Sequence, residues 1–308
     1  MPRNSDNFST GCGLGAILLW SATFAFARSL SEQVGPLTAG AAAYLIGGTC
    51  CLVRLGCSRT PVRRVLKLPK RYLVGCGSLF VLYTAFIYSA VGLAKDREQV
   101  LEIALVNYLW PALTLLFSLP LLRHRAGLGL LPGTGLALTG VVLVMTQGAR
   151  VSWASFWEHL QGNPPAYALA LAAAIAWGLY SNLARRWAKP ESPGAVELFM
   201  PATGLILVAM RLGVTEPTGW SLRAGAEALG LAAITTVAYL LWDVSMRRGN
   251  LLLVVACSYF TPLLSTLVSC AYLKVAPSPK LWVGCLILVA GSLLSWQSVS
   301  VRPAPARG

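Results

Sequence analysis

The sequence predicts an all-α membrane protein, with ten transmembrane helices in two inverted five-helix repeats. Three observations carry that prediction. Ten long apolar runs follow one another along the chain, the second five echo the first in order, and basic residues gather in alternate connecting segments.

The apolar runs cover approximately 11–28, 35–53, 72–93, 99–122, 127–147, 166–184, 194–212, 225–246, 249–273 and 281–299. A helix crosses the hydrocarbon core of a bilayer with about 20 apolar residues, and most of these runs reach that length. Of the 308 residues, 56% are hydrophobic and only 12% charged; the mean hydropathy is +0.64. A soluble domain carries about twice that share of charge. The connecting segments are too short to hold a soluble domain.

Charge then sets the orientation. With the N-terminus in the cytoplasm, the inner segments hold Arg3; Arg54, Arg59, Arg63, Arg64, Lys67, Lys70 and Arg71; Arg123 and Arg125; Arg185, Arg186 and Lys189; Arg247 and Arg248; and Arg302 and Arg307. These are 17 of the 25 basic residues. The positive-inside rule therefore places both termini in the cytoplasm. The net charge of +14 serves orientation and lipid headgroups, so no nucleic-acid partner is expected. The segment before Cys12 has no apolar stretch, so neither a cleavable signal nor a lipidated Cys12 is expected. The eight cysteines (Cys12, Cys50, Cys51, Cys57, Cys76, Cys257, Cys270 and Cys285) form no CxxC pair and no metal-ligand spacing. They predict no disulfide, metal or cofactor.

The two halves match as an ordered series. At an offset of 157, Trp20 aligns with Trp177, Ala27-Arg28 with Ala184-Arg185, Pro36 with Pro193, Gly47 with Gly204 and Arg54 with Arg211. At an offset of 151, Tyr108 aligns with Tyr259, Pro111 with Pro262 and Ser118 with Ser269; Gly133 and Gly140 align with Gly284 and Gly291. One loop-length difference accounts for the change of offset. Five spans is an odd number, so the second half enters the membrane from the opposite side, as in many secondary transporters. The expected units are residues 11–147 and 166–299, joined by a linker at 148–165. In the linker, Trp153, Phe156, Trp157 and Leu160 recur at helical spacing. That pattern predicts a short amphipathic helix on the outer interface, acting as a surface anchor or as a lid.

Two runs are broken at matching points, in NYLWPALTLLFS (107–118) and SYFTPLLSTLVS (258–269). Proline has no N–H, so Pro111 and Pro262 leave the carbonyls of Asn107 and Ser258 without their helical donors. Bare backbone in a membrane is tolerated against protein or a water-filled cavity. Asn107 and Ser258 are thus candidate binding groups, with the two prolines as hinges; paired packing kinks are the plainer alternative. Trp20, Tyr83, Trp110, Trp177, Tyr239 and Tyr259 lie deep in their runs, as does Tyr108. Around a cavity such rings make a box for a planar, amphipathic ligand. Tyr72, Trp187, Trp220, Tyr272, Trp282 and Trp296 sit at run ends and predict an interfacial belt.

Acids are few. Asp243 is expected to pair with Arg247 one turn on. Glu197 and Glu227 lie at run ends. Glu102, one turn inside the outer end of the fourth run, has no partner evident in the sequence and is the candidate for coupling. No acid stands at a midplane, which favours a neutral or zwitterionic substrate over a cation. His124 and His159 fall in connecting segments, and HExxH, GxSxG and phosphate-loop motifs are absent, so no enzyme is expected. Nor is there the filter or charge ring of an ion channel.

In Trp20 and Trp177, Pro36 and Pro193, Pro111 and Pro262 and the paired glycines of the fifth spans, the chain resembles the drug/metabolite transporter superfamily, in its ten-span EamA-like branch. Within that branch it is similar to bacterial aromatic amino acid exporters. The resemblance runs from about residue 13 to 297 and implies a bacterial inner-membrane exporter of aromatic or hydrophobic amino acids. It also implies alternating access through a central cavity, with the lipid bilayer and a small-molecule substrate as partners. Both halves lie in one chain, so a functional monomer is expected. A multidrug or lipophilic-cation exporter of the same fold is the alternative. Many EamA-like halves carry an acid just after the fourth span; here RHRAG (123–127) stands in that place, and no role passes to it.

Overall fold

The computed structural model describes residues 4–57, 62–146, 152–188, 193–273 and 279–301. Each of the ten apolar runs is helical. The first two are α1 (Asn4–Val34) and α2 (Pro36–Cys57); a five-residue helix, α3 (Val62–Leu66), follows. The third run is α4 (Gly77–Leu93), entered through a π-helical turn at Arg71–Cys76. The fourth is split into α5 (Arg97–Asn107) and α6 (Trp110–Leu122), and the fifth is α7 (Leu130–Met145). The linker forms α8 (Trp153–Gly162). Then come α9 (Pro164–Trp187), α10 (Val196–Arg211) and α11 (Leu222–Arg248). The ninth run is α12 (Leu251–Cys257), a 3-10 turn at Ser258–Phe260 and α13 (Thr261–Leu273); the tenth is α14 (Pro279–Gln297). Among the described residues six helical stretches are long and apolar enough to cross a membrane, and a seventh if the bent α1 counts as one span. Leu130–Met145 and Leu281–Gln297 are shorter apolar helices.

Local chemistry sets several boundaries. Asp96, Ser152, Ser221 and Asn250 each accept the backbone N–H three residues on, starting α5, α8, α11 and α12; a side-chain acceptor there satisfies an otherwise orphaned donor. The α1–α2 turn is made by Gly35 at φ +87°, a left-handed conformation that glycine adopts without strain. The Glu216 carboxylate lies against Gly35 and accepts from Leu37 N (2.8 Å), Thr38 N (2.9 Å) and Thr38 Oγ1 (2.8 Å). It caps the positive end of α2 and is itself paired with Arg211 at 3.3 Å.

Both expected breaks are present, but the prolines stand differently from the expectation. Each occupies the first turn of the helix after the break, Pro111 in α6 and Pro262 in α13. There the missing N–H has no intrahelical partner to lose. The prolines therefore start the second segments rather than kink continuous helices.

The helix contacts map onto themselves when the halves are exchanged. α2 packs on α10 and α7 on α14, joining equivalent runs. α1 packs on α11 as α4 packs on α9, and α6 on α9 as α13 on α1; α2 meets α11 as α10 meets α4. The glycines matched in the sequence lie in these seams. A Cβ on Gly140 would stand 2.5 Å from Leu288 N, and one on Gly291 2.2 Å from Ala137 N. Such close backbone approach is how helices associate where lipid supplies no hydrophobic drive.

One element was not legible in the sequence. Arg123, at φ 59°, ends α6, and His124–Ala126 then pairs antiparallel with Val299–Val301. Burial, and secondarily Arg185, hold the His124 imidazole below the ordinary histidine range, which favours its neutral form. The pairing straps the connector after α6 to the residues following α14.

Gly140→Ala and Gly291→Ala should each destabilise the protein by about 1–3 kcal/mol through overpacking, read as a lower melting temperature in detergent. Gly135, whose Cβ position is open, is the control; Gly135→Ala should be neutral or gain up to about 1 kcal/mol of helix propensity.

Candidate functional site

Five of the deep aromatics converge where the halves meet. Trp20 on α1 contacts Trp177 on α9 edge to face, with ring centroids 5.7 Å apart, so two residues matched by the repeat touch each other. Trp110, at the start of α6, lies 6.5 Å from Trp20 and 6.4 Å from Trp177. Tyr239 on α11 lies 5.7 Å from Trp20 and 5.6 Å from Trp177. Tyr83 on α4 closes against Trp177 at 4.7 Å. These rings pack against one another, with Trp110, Trp177 and Tyr239 buried and Trp20 and Tyr83 partly exposed.

Further rings complete the centre. Trp242 packs on Trp20 at 4.9 Å and Trp110 at 5.5 Å; Tyr180 stacks on Trp177 at 5.0 Å; Phe80 meets Tyr239 at 4.8 Å. Each has a periodicity signal that could have found it. Trp242 is three residues after Tyr239, Tyr180 three after Trp177, and Phe80 three before Tyr83, so each pair shares a helix face. Polarity inside the centre comes from hydroxyls. Tyr44 and Tyr239 share a 2.7 Å hydrogen bond, and Thr84 Oγ1 donates to Tyr44 at 3.2 Å.

The other candidates are placed differently. Asn107 ends α5 beside Tyr83, and its buried Oδ1 has no hydrogen-bond partner among the described residues. Ser258 is fully buried, and its Oγ donates to Val255 O at 2.5 Å. The freed carbonyl expected there is occupied, since Ser258 O accepts both the Thr261 N–H and Thr261 Oγ1 at 2.9 Å. The 3-10 turn supplies locally the donors that Pro262 withholds. Tyr259 joins Tyr108, its repeat partner, in a separate cluster with Ala112, Ala137, Val141 and Leu288, so this pair packs behind the centre.

The charged groups lie outside the ring cluster. Asp243 pairs with Arg247, as expected, at 2.7 Å to Nη2 and 2.9 Å to Nε. Tyr72 donates to the same carboxylate at 3.0 Å. Tyr72 is thus fully buried and bound to an acid, which corrects its expected place in the interfacial belt; Trp220 and Trp282 are half exposed, as belt residues should be. Glu197 pairs with Arg54. Glu227 is held by Ser29, Gln33 and Arg223. Glu102, expected to lack a partner, has two: it is completely buried, with Nδ1 of His159 3.1 Å from Oε2 and the Tyr167 hydroxyl donating to Oε2. The partners come from α8 and α9, more than 50 residues further along, which is why helical spacing could not reveal them.

Rings that offer faces and edges to one another can offer them to a planar ligand that takes the place of one of them. Asp243 and Glu102 are engaged by their partners. Glu197 pairs with Arg54 through one oxygen, while its buried Oε2 has no hydrogen-bond partner among the described residues. The ring centre itself presents hydroxyl and indole dipoles. A helical membrane transporter built from two like halves is the class that this arrangement defines. Two stretches, residues 9–146 and 164–297, match the EamA-like transporter family, and the chain belongs to that family. Its relatives include the aromatic amino acid exporter YddG of Escherichia coli (strain K12), 30% identical over 94% of this chain and 96% of that protein. The protein of the same name from Ancylobacter novellus is 33% identical over 94% of this chain and 98% of its own length. A crystal structure at 32% identity superposes with a TM-score of 0.77, covering 94% of this chain and 96% of that one.

Arg247→Met should strand the Asp243 carboxylate in the interior and lower stability by about 3–5 kcal/mol, whereas the double variant Asp243→Leu/Arg247→Met should recover most of the loss. Thermal unfolding of the two variants in detergent measures this.

Proposed function

We propose that the chain exports aromatic amino acids and related planar metabolites across a bacterial inner membrane by alternating access between two inverted five-span repeats. Residues 11–147 and 166–299 are the repeats, both termini are cytoplasmic, and the single chain is the working unit. The observation that carries the reading is the Trp20–Trp177 contact, in which repeat-matched rings meet at the interface of the halves. Trp20, Tyr83, Trp110, Trp177 and Tyr239 are the residues that hold the substrate ring. Asn107, with an unpartnered buried oxygen one step from the α5–α6 break, supplies an acceptor for its ammonium group. The breaks before Pro111 and Pro262 let each split span bend as the halves exchange conformations. The relatives' names support the substrate class.

Aromatic faces also attract quaternary ammonium ions, the basis of the alternative reading as a lipophilic-cation exporter. Against it, Asp243 and Glu102 are already engaged, and a buried cation needs a counter-charge. Efflux from liposomes containing only the purified protein decides between them. Phenylalanine and tryptophan should compete with one another, and tetraethylammonium should leave phenylalanine flux unchanged; the reverse pattern would establish the cation exporter. Trp177→Ala should weaken phenylalanine binding by about tenfold, from the loss of ring contacts.

Orientation has its own test. In a background lacking native cysteines, a cysteine replacing Ser155 should react with impermeant reagents in intact cells, and one replacing Arg64 should not. Labelling at 64 from outside would reverse the topology and the direction of export.

A further inference from the structure

The connector helix α8 has two unlike sides. Trp153 and Trp157 are 80% and 54% exposed, as befits rings lying on a bilayer surface. The other side is bolted to the protein. His159 reaches the completely buried Glu102 on α5, at 3.1 and 3.2 Å from its two carboxylate oxygens. Tyr167, in the first turn of α9, donates to the same carboxylate, and its ring meets Phe156 of α8 at 5.6 Å. Where α8 ends, Asn163 Nδ2 donates to Leu93 O at 2.8 Å and to Gln99 Oε1 at 3.0 Å. Lys95 Nζ donates to Gly162 O at 3.1 Å. One short helix thus ties together the outer end of α4, the first segment of a broken span and the first helix of the second half.

A surface anchor needs the tryptophans but not this clasp. A carboxylate is costly to bury without partners, and the two side chains that satisfy Glu102 arrive from α8 and α9. Five residues beyond Glu102, α5 ends at the break. Any bending there that carries α5 away from α9 must part Glu102 from Tyr167 or from His159. We infer that α8 is a latch across the outer face, with Glu102 as its catch, and that it must release for the outer side to open. The inference rests on the exporter reading for what the opening accomplishes; the clasp itself does not.

Two measurements on the full-length protein test it. In the first, Glu102→Cys/His159→Cys is made in a background lacking native cysteines, reconstituted, and bridged with a short bifunctional methanethiosulfonate reagent. Phenylalanine efflux should fall by about tenfold or more on bridging and return on reduction. Complete bridging with unchanged efflux would show a static anchor, and failure of the reagent to bridge would show that the two side chains are not neighbours; either overturns the latch. In the second, which needs no substrate, hydrogen exchange of residues 153–162 is compared between the unaltered protein and Glu102→Gln. Weakening one charge-assisted clasp should speed exchange there by about tenfold. Unchanged exchange would mean that the tryptophans alone hold α8. Faster exchange in Glu102→Gln, with no efflux from the unbridged protein, would leave the latch standing and count against the exporter reading.

Discussion

The edge-to-face contact between Trp20 and Trp177 is the constraint around which the rest of the molecule is arranged. Lipid offers apolar helices no hydrophobic reason to associate, so the halves are held by close packing and buried polar contacts. Small residues serve that purpose in the outer seams. Gly48 and Gly204 bring α2 against α10, Gly47 brings α2 against Thr236 of α11, and Gly133, Gly140, Gly284 and Gly291 bring α7 against α14. The bulky rings are concentrated where α1, α4, α6, α9 and α11 meet. Close glycine seams thus lie at the flanks and bulky rings at the centre.

Polar groups follow the same division. Full charges are neutralised away from the ring cluster, with Asp243, Arg247 and Tyr72 in one network and Glu102, His159 and Tyr167 in another. Inside the cluster the polar contacts are hydroxyl to hydroxyl, through Tyr44, Tyr239 and Thr84. On the reading proposed above, the rings take the aromatic face of the substrate and the hydroxyls its polar end.

Much of this was legible in the sequence, because it rests on periodicity and on repetition. The ten helical runs, the two breaks and the Asp243–Arg247 pair one turn apart follow from apolar runs and spacing, and the five central rings are among the seven aromatics that lie deep in those runs. What escaped depends on distant contacts. Tyr72 reads as an interfacial ring until Asp243, 171 residues away, is placed beside it. Glu102 reads as unpaired until α8 and α9 fold over it. Tyr259 shares every sequence feature of the central rings, yet its helix turns it towards Tyr108. The Ser258 carbonyl shows the limit of a backbone argument: Pro262 does remove one donor, and the 3-10 turn with Thr261 provides two others.

The central claim is that the substrate enters the ring cluster. Fluorine NMR of protein labelled with 5-fluorotryptophan, with signals assigned by single substitutions, tests it most directly. On titration with phenylalanine, the resonances of Trp20, Trp110, Trp177 and Trp242 should shift and saturate together, while those of the exposed Trp153 and Trp220 stay in place. Saturable phenylalanine binding that leaves all four central resonances unmoved would put the site elsewhere and contradict the account.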